Sequence, residues 1–114
     1  MKKTLVLSSF IFVACIFYQC NPARKASASV PAITYTNNVH KLVMDNCSPC
    51  HIPEKGGKKK ALDSYAAVKD NLPEIIKRIE MHPGEKGFMP FKKDRLSDST
   101  IAVFKAWQEA GMIE

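Results

Sequence analysis

Three features of this 114-residue chain predict an all-α fold. Apolar residues recur at three- and four-residue spacing in separate stretches. No segment alternates with period two for long enough to make a strand. Ser, Pro and Gly stand where helices would start and stop. A composition of 46% hydrophobic and 25% charged residues belongs to a globular chain, and the length leaves room for one domain. No internal repeat is visible.

The first segment lies outside that domain. Lys2 and Lys3 followed by the apolar run Leu5 to Tyr18 have the layout of an export signal. The run falls short of the roughly 20 apolar residues that a spanning helix needs, which favours a cleaved leader over a retained anchor. Residues 1–20 are therefore read as an export signal. Cys20, where polarity begins, resembles the modified residue of a bacterial lipoprotein. Cys15, preceded by Phe12-Val13-Ala14, is the alternative, and cleavage near Ala26 or Ala28 without a lipid is a third option. Residues 21–34 are small, polar and interrupted by Pro22 and Pro31, as suits a flexible tether, and leave 35–114 as the folded domain.

Within that domain, Thr36 or Asn37 is expected to cap a first helix. Its apolar positions Val39, Leu42, Val43 and Met44 lead directly into Cys47. Ile52 to Lys60, with Pro53, Gly56, Gly57 and several lysines, reads as a solvated loop. Asp63 or Ser64 opens a short helical stretch through Val68. Asn71-Leu72-Pro73 reads as a stop, with Pro73 as first-turn proline of a further helix carrying Ile75, Ile76 and Ile79. Met81 to Leu96 look irregular. The last helix is the clearest, with Ser97 as cap, Asp98 in the first turn, a stripe of Ile101, Phe104, Trp107 and Ala110, and Gly111 as its end.

The formal net charge is +6, and losing Lys2 and Lys3 with the leader lowers it to +4. Such a surplus suits docking on acidic protein surfaces or anionic lipid. No basic stretch interleaved with aromatics points to nucleic acid.

The chemistry concentrates in Cys47-Ser48-Pro49-Cys50-His51. Cysteines at i and i+3 project from nearly the same side of a helical turn, so each sulfur can form a thioether with one of the two vinyl groups of a haem. A His directly after the second Cys is then placed to give an imidazole nitrogen to the iron. Export supports the same reading, because bacterial haem attachment takes place outside the cytoplasmic membrane. A structural zinc site would need two more ligands at short spacing, and His40 and His82 are not paired. A thioredoxin-like thiol pair would need a strand before it and a long helix after it.

From about Thr36 to Ile113 the chain resembles a small class I cytochrome c domain, of the kind found in bacterial lipoproteins and multidomain oxidases. The resemblance implies three to five short helices wrapped around one covalent haem c. It implies a periplasmic, lipid-anchored electron carrier and not an enzyme. In that family a Met between the haem motif and the last helix, commonly followed by Pro, binds iron from the opposite face, and Phe88-Met89-Pro90 fits the pattern. Met81 and His82 are the rival ligands. A soft, neutral thioether raises the potential, whereas His82 would lower it.

The family also crosses its first and last helices beside the haem, so Trp107 and Phe104 are expected against Val39, Leu42 and Val43. The chain departs from the pattern where the family usually has a Gly and an aromatic, at Val39 and Val43. The family's Gly-Pro after the proximal His, whose carbonyl orients the imidazole, has no counterpart here, because Pro53 follows His51 too closely. Lys55, Lys58, Lys59 and Lys60 after the motif, with Lys86, Lys92, Lys93 and Arg95 around Met89, are expected to rim the haem edge and steer the carrier to redox partners with acidic surfaces. The alternative activity is a haem enzyme or gas sensor in which Met89 is displaced.

Overall fold

Thr34 starts the helical backbone of the protein, seen here in a computed structural model that describes residues 31–114. The predicted export signal, with Cys15 and Cys20, and the tether up to residue 30 lie outside the described residues. Among the described residues all regular structure is helical and no strand occurs, as the all-α expectation requires.

The Thr34 hydroxyl accepts the Asn37 N–H at 3.2 Å, while the Thr34 N–H donates to Asn38 Oδ1 at 3.0 Å. The cap therefore sits ahead of the expected Thr36 or Asn37. Tyr35–Val39 form a wide π-helical turn, in which the Val39 N–H reaches the Thr34 carbonyl at 3.3 Å. The turn buries Tyr35 and Val39 and runs without a break into α1 (His40–Asn46), which buries Val43 and ends with Cys47 as its C-cap.

The second long element corrects the sequence reading. A single helix, α2 (Tyr65–Glu80), spans the expected stop at Asn71-Leu72-Pro73. Ser64 caps it, its hydroxyl accepting the Ala67 N–H. Pro73 sits inside the helix on the exposed side. An interior proline costs about 3 kcal/mol through its missing N–H and the clash with the carbonyl four residues back. On the opposite face Val68, Leu72, Ile75, Ile76 and Ile79 are all buried. At roughly 1.5–3 kcal/mol per buried aliphatic side chain, that continuous stripe outweighs the proline.

Helix α3 (Asp98–Glu109) follows its prediction closely, with the Ser97 hydroxyl accepting the Thr100 N–H and Ile101, Phe104 and Trp107 buried. Ala110 is its exposed C-cap and not part of the buried stripe, and Gly111 takes a left-handed φ of 82° that turns the chain out of the helix. Helix α3 packs on α2 and on the π-helical turn. Trp107, fully buried, lies 5.8 Å from the Tyr35 ring and shares one core with Val39, Val43 and Phe104.

The C-terminal residues stitch this frame together. Trp107 Nε1 and the Tyr35 N–H both donate to the Ile113 carbonyl, at 2.7 and 2.9 Å, and the Tyr65 hydroxyl donates to the Met112 carbonyl at 2.8 Å. First and last helical elements are thus joined where the chain ends. The segments that hold Cys47, Cys50 and His51 and, further on, Met89, residues 47–62 and 81–96, hang from this frame as loops.

Candidate functional site

His51 is positioned from both sides by buried apolar neighbours. Ile52, next in the chain, is 1% exposed, and Leu62 is buried in the same core. These two side chains anchor the ends of the lysine-bearing loop, and backbone bonds fold the loop onto the motif. The His51 N–H donates to the Cys47 carbonyl at 3.0 Å, the Lys59 N–H to the Cys50 carbonyl at 3.0 Å, and the Leu62 N–H to the His51 carbonyl at 2.8 Å. A short 3₁₀ turn, Pro53–Lys55, sits within this segment. The loop expected to be merely solvated has exposed lysine side chains and a backbone tied to the motif.

That fold-back brings a backbone carbonyl to the imidazole. His51 Nδ1 lies 2.7 Å from the Lys60 carbonyl oxygen. A carbonyl can only accept, so Nδ1 carries the proton, and in the neutral ring Nε2 is left with the free lone pair. Gly57 makes the approach possible. A Cβ there would lie 2.3 Å from the Pro49 carbonyl oxygen, 2.6 Å from that of Cys50 and 2.8 Å from the Ile52 nitrogen. All three are backbone atoms, so no side chain fits.

Cys47 is half-buried and Cys50 exposed, and both are free thiols. Burial pushes the Cys47 thiol up to about 11, with a smaller opposing effect from the Lys93 ammonium. Lys93, from the methionine segment, therefore lies near enough to the motif to act on it electrostatically. Lys55, Lys58, Lys59, Lys60, Lys86, Lys92 and Lys93 are all exposed. Arg95 differs, because its Nη1 pairs with Asp98 Oδ1 at 2.7 Å.

Met89 sits between buried Phe88 and buried Pro90. It is half-buried and packs against the same core as Cys47. Its N–H donates to the Arg78 carbonyl at 3.1 Å, and Arg78 Nη1 donates to the Gly87 carbonyl at 3.2 Å. Met81 is half-buried nearby, its sulfur 3.7 Å from where a Cβ on Gly87 would stand. His82 is exposed and its N–H donates to Glu85 Oε2. A solvent-open groove of about 480 Å³ runs along this arm past Phe88, Met89, Phe91, Lys86, Lys92 and Lys93. The motif residues Cys47, Cys50 and His51 do not line it, so it is a feature of the methionine arm alone.

The donor set fits a covalent haem. Unpaired thiols at i and i+3, an imidazole whose Nδ1 is engaged by a carbonyl, and a thioether on the same core are the groups that such a cofactor uses. No cluster of three or more His, Cys, Asp or Glu side chains suited to a bare metal ion occurs among the described residues. Sequence reasoning marked Lys60 for its charge and missed its carbonyl, along with Gly57 and Arg78. Lys60 acts through its carbonyl, which every residue possesses, and Gly57 resembles any loop glycine. For Arg78 the i, i+4 spacing from Glu74 signals a helix-surface ion pair but not the reach to Gly87. No known family model, no curated protein and no solved structure matches this chain.

Proposed function

We propose that this chain is a monohaem c-type cytochrome of class I type, an electron carrier on the periplasmic side of a bacterial membrane. In this reading a lipid on Cys20, with Cys15 as the alternative, tethers it there. The observation that carries the proposal is the contact between His51 Nδ1 and the Lys60 carbonyl beside two free cysteines, since it leaves Nε2 as the nitrogen available to iron. Haem iron, when bound, supplies exchange of a single electron between its ferrous and ferric forms.

The chain's own residues do the rest. Cys47 and Cys50 would hold a haem through thioethers, Cys47 from the C-cap of α1 and Cys50 from the exposed turn that follows. His51 is kept in one tautomer and orientation by the Lys60 carbonyl, and would hold iron through Nε2 with little rearrangement of its own. Met89 offers a soft sulfur that favours the reduced state. Phe104, Trp107, Val39 and Val43 form a dry core to which Cys47 and Met89 both belong in part. The exposed lysines flanking both loops give a cationic rim that draws in acidic redox partners by fast, salt-sensitive encounters.

A haem enzyme or gas sensor with a displaceable Met89 is the second reading, and the open groove along Met89 is the observation in its favour. Spectra of the haem-loaded protein separate the two. The carrier shows a ferric methionine-to-iron charge-transfer band and no carbon monoxide adduct of the ferrous form. High-spin iron that takes up carbon monoxide readily contradicts it.

A further inference from the structure

The methionine arm hangs from Arg78. The Arg78 carbonyl accepts the Met89 N–H at 3.1 Å, its Nη1 donates to the Gly87 carbonyl at 3.2 Å, and its Nε donates to Glu74 Oε1 at 2.7 Å. The arm is thus gripped on either side of Phe88 by one residue, and that residue is held from behind by Glu74.

The two halves of the grip differ in kind. Arg78 lies in the last turn of α2, where carbonyls lack an intrahelical partner, so the bond to Met89 satisfies a group that helix geometry leaves open. The guanidinium half is particular to arginine, whose rigid planar fork can bond Glu74 and Gly87 in different directions at once. Gly87 is matched to it. Its φ of 104° is disfavoured for any residue with a Cβ, and a Cβ there would stand 3.2 Å from Arg78 Nη1.

We propose that Arg78 is the positioning residue of the methionine arm and sets how readily the Met89 sulfur yields its place on iron to an external ligand. The inference rests on the reading of Met89 as an iron ligand. With 87 and 89 both tied to α2, the backbone that carries the sulfur is held in place, and detachment of the arm opens the way for the sulfur to leave. Without the guanidinium, a single backbone bond remains. Hydrogen bonds from charged donors contribute about 1.5–3 kcal/mol, which corresponds to a tenfold to hundredfold rise in the detached population.

The test uses the full haem-loaded chain, ferric, titrated with imidazole. Arg78→Ala is expected to weaken the methionine charge-transfer band and to bind imidazole about tenfold more tightly than the native protein. Arg78→Lys restores part of the native behaviour, because its three donors sit on one nitrogen and lack the separated Nε and Nη1 that reach Glu74 and Gly87 together. Glu74→Gln, a surface change that leaves the fold intact, falls between native and Arg78→Ala and carries the test should the alanine variant not fold.

Native imidazole affinity and an intact band in both Arg78→Ala and Glu74→Gln overturn the proposal. Amide exchange at Gly87 to Met89 in the same haem-loaded proteins gives a second readout that does not use the haem spectrum, with faster exchange expected in the variants and unchanged exchange counting against the grip. If native and Met89→Leu spectra coincide, the ligand assignment has failed, and the exchange rates then report on Arg78 by themselves.

Discussion

The segment from Cys47 to Leu62 closes on itself, whereas the arm from Met81 to Leu96 is hung from a helix. In the first, motif and partner are near neighbours in sequence, and backbone groups make the bonds, from Lys59 to Cys50, from Leu62 to His51 and from the Lys60 carbonyl to the His51 ring. In the second, Met89 is held by Arg78 across the end of α2, and one of the two grips depends on a side chain. Local closure makes the histidine side a preformed unit that tolerates most side-chain changes. The methionine side is set by tertiary contact and is the half that substitutions can tune.

The largest break in this comparison is expected at Gly57. Gly57→Ala drives a Cβ into three backbone atoms of the motif segment, and it should cost about 3 kcal/mol or more in denaturant unfolding. The fraction of chains that retain haem on a denaturing gel should fall with it. Gly56→Ala is the control, since a Cβ there meets nothing within 4 Å and only the left-handed φ is strained, at about 1 kcal/mol. Equal effects at 56 and 57 would contradict the closed-loop account.

Met89→Leu comes next. The swap nearly conserves volume, so stability should fall by less than about 1.5 kcal/mol. Covalent haem should remain while the ferric charge-transfer band disappears and the potential drops. Loss of attached haem in this variant would mean that the two halves are not separable.

A smaller effect is expected in the frame that both halves share. The Tyr35 hydroxyl is buried without a hydrogen-bond partner, and burial, with Asp63 and Glu114 adding to it, raises its pKa. Tyr35→Phe removes that unpaired group and should be neutral or stabilising by about 1 kcal/mol at pH 7. The native protein holds the Tyr35 proton more tightly than the unfolded chain. This contribution is present in full below the unfolded value, about pH 10, and is lost as pH rises through the higher folded value. Unfolding curves of the Phe variant should lose that alkaline decline, and an unchanged decline would assign it elsewhere.

The smallest effect belongs to the far end of the arm. The Arg95 hydrogen bond, reinforced by its charge, holds the exposed Asp98 carboxyl below its ordinary range. Its contribution is present above the unfolded value, about pH 4, and is lost as pH falls through the lower folded value. Asp98→Asn should flatten the acid limb slightly, and salt should erase the difference because the pair is solvent-exposed.

What the sequence disclosed divides along the same line. Ser64 and Ser97 as caps, the α3 stripe of Ile101, Phe104 and Trp107, and the end of α1 at Cys47 were legible, because capping and amphipathic spacing are local properties. Pro73 misled, since its local signal is a break while the burial that overrides it is tertiary. Lys60 was invisible as the partner of His51 because the contact uses a carbonyl, and a side-chain alphabet does not encode where carbonyls point. Arg78 was legible as a helix residue and not as the anchor of Met89, because that contact depends on how the arm returns to α2.

The central claim is that Cys47 and Cys50 carry one haem. Mass spectrometry of the mature protein, purified from a host that assembles c-type cytochromes, tests it most directly. The mature chain is expected to be heavier by one haem, with the adduct on the peptide that holds Cys47 and Cys50. A haem-free chain with both thiols open to alkylation would contradict it.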